Sequence, residues 1–359
     1  MVRRWYPREY KEGDEQDILA LHKLVFGAEV NIEWWAWQYK HNPAGQAVIV
    51  LAESDQGIVG QYALVPRLMK IDDTTCLGSL SLDTMIHLEH RGRGMFISLA
   101  KQAYALAAER GIHFIYGFPN ENSHHGFTTK LNWIDIYNGI PLWVKPLNLE
   151  SVLRKRFINN KLLANLGSKV GNIAMSVLYR SQRSTPVCLI KEIFAFDPRF
   201  DSLWREASKK HEIMVMRDKT YLTWRYVEKP ANDYVIFIAE RGEHLLGYIV
   251  LRCVEKFGLQ MGLIVDILTM PEELRVSTDL ISAAVKYFEA RNMDIVGCLM
   301  LPATRYSYSL KQAGFIRAPG KLLPQDMYLG VRGLSSQYPV TFLADPNNWL
   351  VSWGDHDVI

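Results

Sequence analysis

Cysteine is scarce. Cys76, Cys188, Cys253 and Cys298 are the four in 359 residues, and no two are spaced C-x-x-C. That spacing excludes a disulfide framework and a structural zinc site, leaving reduced, mostly buried thiols as the expected state. No apolar run approaches the roughly 20 residues that a membrane-spanning helix needs. The stretch Met1 to Asp14 is studded with Arg, Lys and Glu and holds no run of signal-peptide length. A cytoplasmic protein is therefore expected. An excess of one charge is also lacking: 41 Lys and Arg against 38 Asp and Glu leave +3, too little to imply nucleic acid. A mildly positive chain still favours a phosphate-bearing ligand. What is plentiful is apolar residues, 48% of a chain longer than one domain usually needs, so two cores are expected.

The chain repeats itself. Trp37-Gln38-Tyr39 with Pro43 returns as Trp224-Arg225-Tyr226 with Pro230, 187 residues on (224 − 37, 230 − 43). The same offset carries Val48-Ile49 onto Val235-Ile236, Ala52-Glu53 onto Ala239-Glu240 and Gly60 onto Gly247 without a gap. Each copy reads as a Trp-rich helix end, a turn at Pro, a β-branched strand and a hairpin. Copy one continues with a strand over 78–87, a helix over 95–110 and a strand over 112–118. Copy two gives a strand over 263–269, a helix over 278–291 and a strand over 294–301. A meander followed by strand-helix-strand predicts α/β (α+β) architecture, with two tandem domains of mixed, mostly antiparallel sheet flanked by helices. The expected division is 1–149, a basic linker 150–191, and 192–359.

The sharpest motif is Arg91-Gly92-Arg93-Gly94-Met95-Phe96, between an apolar strand and a helix. Glycines let the backbone turn its N–H groups into a nest, and the helix start adds its positive end, so a pyrophosphate can sit there. In copy two the strand ending Asp266-Ile267-Leu268-Thr269-Met270 runs instead into Pro271-Glu272-Glu273. Two carboxylates and no glycine pair repel a pyrophosphate.

The segment Glu89 to Gly94 resembles the pyrophosphate loop Q/R-x-x-G-x-G/A of the GNAT acetyltransferase superfamily at both glycines and departs from it at Glu89. Lys130-Leu131-Asn132-Trp133 resembles the family's closing K-L-G-F corner, and Lys311-Gln312-Ala313-Gly314-Phe315 repeats it. More narrowly, the chain resembles the two-domain GNAT group related to the enhanced-intracellular-survival acetyltransferases, down to Trp353-Gly354-Asp355-His356-Asp357 at its end. The resemblance implies acetyl-coenzyme A as co-substrate, with the backbone of Asp83-Thr84-Met85-Ile86-His87 pairing the pantetheine arm. It implies that Arg91, Gly92, Arg93, Gly94, Met95 and Phe96 hold the pyrophosphate, while Asn120, Asn122 and Ser123 hydrogen-bond the coenzyme. Copy two is then a non-binding copy that shapes the acceptor pocket.

Acetyl transfer to an amine needs a base for the ammonium proton and an acid for the departing thiolate. The tyrosine that GNAT enzymes often use as the acid is Thr128 here. His124, His125 and Asp83 remain as candidates, with Glu121 nearby. Ile359 joins them because the C-terminal carboxylate reaches the active site in the related two-domain enzymes. Asp355-His356-Asp357 offers one imidazole and no second cluster, so no metal site is expected. The acceptor implied is a small-molecule primary amine, an amino sugar or a nucleotide-activated one. The alternatives are a FemABX-like aminoacyltransferase and an acyl-coenzyme A-binding regulator without turnover.

Between Ser151 and Lys191 there are eight Lys or Arg and no acid, interleaved with Leu153, Phe157, Leu162, Leu163, Leu166, Ile173 and Leu178. This reads as an interdomain helix, although a basic amphipathic helix also suits an anionic membrane surface.

Overall fold

A computed structural model describes residues 5–156, 187–318 and 327–356. Most of the basic linker lies outside the described residues, as does Ile359. Among the described residues, no helix is long and apolar enough to cross a membrane.

Two sheets carry the fold. The first begins with β1 (Trp5–Glu9), β2 (Val48–Ser54), β3 (Gly57–Ile71), β4 (Thr74–Ile86), β5 (Phe114–Gly117) and β6 (Ile134–Tyr137). Next along the chain come β7 (Leu142–Pro146), β8 (Leu189–Ile193), β9 (Ile213–Val215), β10 (Tyr234–Arg241), β11 (His244–Lys256), β12 (Leu259–Thr269), β13 (Ile295–Leu299), β14 (Ile316–Arg317) and β15 (Leu329–Gly333). The strand orders are β1-β2-β3-β4-β5-β15-β6 and β14-β7-β13-β12-β11-β10-β8, with β9 on the end of β3. Among the described residues, all ladders are antiparallel except β4/β5 and β12/β13. Each parallel pair is joined by a helix, Met95–Glu109 or Leu274–Ala290, as a parallel crossover demands.

The two halves exchange strands. β7, from the first half of the chain, lies between β13 and β14 of the second sheet, and β15, from the second half, lies between β5 and β6 of the first. The divisions at 149 and 192 therefore do not coincide with the boundary between the sheets.

β2 alternates its side chains into two apolar environments. Val48, Val50 and Ala52 face the helix Met95–Glu109, whereas Ile49 and Leu51 belong to a core continuous with the second half. Burial on both faces explains the unbroken apolar run Val48 to Ala52. Gly60 is needed beneath that helix, because a Cβ there would stand 2.5 Å from the Met95 sulfur.

The repeat meets itself at Trp37 and Trp224. Their rings stack with centroids 4.8 Å apart, Trp37 Nε1 donates to the Trp224 carbonyl (2.8 Å), and Trp224 Nε1 donates to the Trp37 carbonyl (3.1 Å). Reciprocal contacts between equivalent residues mark a local pseudo-two-fold, as in an isologous dimer. Both tryptophans are buried in the core. The described start of the linker, the helix Leu149–Arg156, packs Val152 against Leu259 and Ile295, and Lys155 pairs with Asp294.

Candidate coenzyme wedge and active site

β4 and β5 pair from Gly78/Phe114 to Ser81/Gly117 and then part, while β4 runs on to Ile86. The result is a wedge whose β4 edge has no β5 partner. Its floor is fixed by a chain of hydroxyls running inward from the half-buried Ser81: Ser81 Oγ donates to the buried Tyr62 Oη, which lies 2.9 Å from Tyr104 Oη, and Trp133 Nε1 donates to Tyr104 Oη. Burial pushes the Tyr104 phenol up to about 12 and raises that of Tyr62 well above its ordinary value, so both stay neutral.

The glycine turn stands at the end of β4. Gly92 and Gly94 have φ of 73° and 75°, and Gly94 caps the helix Met95–Glu109 in the left-handed conformation. The first helical N–H groups have no partner within the helix. Arg91 reaches back to the Ile86 carbonyl (3.4 Å), lying across the strand end, while Arg93 is exposed. Ile86 and His87 are half-buried, the His87 N–H being given to Val59 O. Met85 and Met95 are buried core side chains, so only their backbone is available to a ligand. Phe96 packs edge-on against Phe127 at 5.1 Å, tying this helix to the helix Glu121–Lys130.

That second helix spends several expected ligand groups on itself. Asn120 is its N-cap, accepting from the N–H groups of Asn122 and Ser123, and the Ser123 hydroxyl turns back to Asn120. Asn122 is exposed. Thr128 donates to the His124 carbonyl at 3.0 Å, a helix back-bond rather than a proton donor aimed at a thiol. His124 is turned to the far side of β5: it bonds Asp135 on β6 at 2.9 Å and stacks on Tyr328 at 3.9 Å. His125 is exposed.

Asp83 lies on the freed edge of β4 with φ of 45°, where the β3/β4 register shifts, and its carboxylate accepts from the buried Tyr39 hydroxyl. Tyr39 closes the first repeat motif, and nothing local in the sequence links it to a residue 44 positions on. The chain end comes back to this region. Leu350 N donates to Ile213 O, Trp349 packs on Phe114 and Tyr116, and the His356 ring lies 4.5 Å from that of Phe118, just past β5.

Copy two has the same divergence, since β12 outruns its pairing with β13. It is filled from within. Arg305 donates to the carbonyls of Thr269, Met270 (3.0 Å) and Pro271 (2.7 Å), and Thr269 N–H donates to Tyr306 Oη at 3.1 Å. Counted from the shared corners, Arg305 stands six residues before Lys311 as His124 stands six before Lys130. Copy two therefore covers its strand end with several short bonds from Arg305 and Tyr306, where copy one has a single long one from Arg91 to the Ile86 carbonyl.

Residues 6–134 match the family model described as an acetyltransferase (GNAT) domain. A search of curated proteins finds no match. Among solved structures, a conserved protein of unknown function from Enterococcus faecalis, described as a probable N-acyltransferase, is 10% identical with a TM-score of 0.64. The alignment covers 93% of this chain and 73% of that one. A GCN5-related N-acetyltransferase from Anabaena variabilis is 12% identical with a TM-score of 0.63, covering 92% and 73%. N-myristoyltransferase from Saccharomyces cerevisiae, solved with myristoyl-CoA and inhibitors, is 11% identical with a TM-score of 0.61, covering 92% and 80%. At these identities the likeness is one of fold, two sheets of mostly antiparallel strands flanked by helices.

Proposed function

We propose, from the acetyltransferase domain matched over 6–134, that the chain is an N-acetyltransferase moving an acetyl group from acetyl-coenzyme A to a primary amine of a small molecule. The observation that carries this reading is the conjunction past the end of β4: an unpaired strand edge leads, through one 3-10 turn at Leu88–His90, into a glycine turn that opens a helix. The edge suits the amides of a pantetheine arm, and the turn suits its pyrophosphate. The family relation to the two-domain, enhanced-intracellular-survival type remains part of this proposal, as does an amino sugar or nucleotide-activated amino sugar as acceptor.

In the reaction the amine nitrogen forms a bond to the thioester carbonyl carbon, the C–S bond breaks, the nitrogen loses a proton and the thiolate gains one. Asp83 is the base the arrangement favours, because it lies on the wedge edge and Tyr39 fixes its orientation. Tyr39, the hydroxyl nearest that carboxylate, stands where a proton can be handed on. His124, held by Asp135 beyond β5, is less suited to either task. The test is thiol release from acetyl-coenzyme A on adding primary amines. Amine-dependent release in the wild type and its loss in Asp83→Asn are expected, and release that no amine stimulates would overturn the reading.

A further inference from the structure

Arg67, on β3, is 4% exposed. Its hydrogen bond goes to the carbonyl of its own neighbour, Pro66, at 3.0 Å, and its guanidinium stands 5.0 Å from the Trp224 ring. No carboxylate pairs with it among the described residues. Buried guanidinium groups ordinarily need a counter-charge. This protein supplies one elsewhere, since the equally buried Arg217 is paired with both Asp266 and Asp355. A cation left uncompensated calls for an anion from outside.

Arg67 faces a crevice that it shares with Gln38, Arg225, Lys229, His356 and Trp37. Arg225 is 3% exposed and donates to the carbonyls of Gly354 and His356. Lys229 donates to Tyr234 Oη at 2.9 Å. Burial and the neighbouring Arg225 charge lower the Lys229 ammonium. Burial pushes the Tyr234 phenol up, yet the charges of Arg225, Lys229 and Arg252 outweigh it and the net shift is downward. The Tyr234 shift reports a concentrated positive field, whereas that of Lys229 comes first from burial. The crevice is small, about 10 Å³, room for one water-sized group, while a groove of about 390 Å³ also has Trp37 in its wall. It is therefore suited to the oxygen of an anionic group rather than to a whole molecule. Its position is next to the wedge: Gln38 adjoins Tyr39, which holds Asp83, and His356 touches Phe118.

We propose that this crevice binds a carboxylate or phosphate group of the acceptor, so that the substrate class is a primary amine carrying an anionic group. The assignment of that anion to an acceptor rests on the acetyltransferase reading above, but anion binding itself does not.

The full chain, with and without saturating coenzyme A, is titrated at constant ionic strength with inorganic phosphate and separately with acetate, following tryptophan fluorescence. Saturable binding of one anion is expected to persist with coenzyme present. It should weaken at least tenfold in Arg67→Met and in Lys229→Gln, since each removes a charge-assisted donor, while coenzyme affinity is unchanged. Lys229 is only half-buried, so its variant keeps the test valid if Arg67→Met fails to fold. The response to phosphate or to acetate tells the two chemistries apart. Absence of binding by either anion, or binding that survives both substitutions, overturns the proposal. So does binding that appears only after removal of Asp357 to Ile359, which would make the chain's own end the occupant. A protein that binds the anion but releases no thiol with any amine would leave the crevice standing and sink the acetyltransferase reading.

Discussion

Equivalent aspartates do different work in the two copies. Gly60 pairs with Ile86 and Gly247 with Thr269, so Asp83 and Asp266 each stand three residues before a matching strand end. Asp83 is half-buried with Tyr39 for a partner; Asp266 is sealed in with Arg217, Tyr248 and Ser352, where it helps hold the chain end through Asp355. Asp83→Asn should lower amine-dependent turnover about 10²- to 10⁴-fold and leave coenzyme affinity within threefold, read by thiol release and calorimetry. Arg217→Met leaves two buried carboxylates without a counter-charge and should cost about 3–5 kcal/mol of stability in urea unfolding. Burial raises the Asp355 carboxyl, Arg217 opposes the rise and Asp266 adds to it. A raised folded-state pKa means that ionising this group opposes folding: the cost is absent below the ordinary carboxylate value and complete above the raised one. Stability should thus lose less as pH climbs through that window in Asp355→Asn than in the wild type. At the loop, Gly94→Val places a β-branched residue at φ 75° and a side chain in the turn proposed to hold the pyrophosphate. Coenzyme affinity should fall at least tenfold in a folded protein, and affinity within threefold of wild type would refute the loop assignment.

Elements with their own hydrophobic period were legible in the sequence. The helix expected over 95–110 runs Met95–Glu109, and the strand expected over 263–269 is the end of Leu259–Thr269. The helix expected to begin at Thr278 begins at Leu274, because Pro271 to Glu273 ends sooner than the periodicity suggests. Three features were not legible, each depending on residues far apart in sequence. β7 and β15 have five residues each, and which sheet a strand that short joins is decided by pairing across the molecule. Tyr39 meets Asp83 only because the helix Ile32–Tyr39 ends beside β4. The filled second wedge was foreseen as a repulsion from Glu272 and Glu273, whereas Arg305 and Tyr306 occupy it physically. Arg305→Ala strips partners from several strand-end carbonyls and should lower the melting temperature. It should open no second coenzyme site, because both glutamates remain; a gain of a second site by calorimetry would contradict this.

The exchange of β7 and β15 makes the two halves one folding unit. A fragment ending at Arg156 lacks β15, which lies between β5 and β6, and leaves β7 without its sheet. Residues 1–156 alone should fail to bind acetyl-coenzyme A, and co-expression with 187–359 should restore binding; binding by the isolated fragment would show that the exchange is dispensable. The stacked Trp37 and Trp224 sit where the halves meet, and Trp224→Ala should cost about 3–5 kcal/mol. The open wedge on one side of this pseudo-two-fold and the filled wedge on the other lead to a single number. Isothermal calorimetry of the full chain with acetyl-coenzyme A should give one site per chain, and either two equivalent sites or no binding at all would contradict the assignment of the β4 edge and the Gly92–Gly94 turn as the coenzyme site.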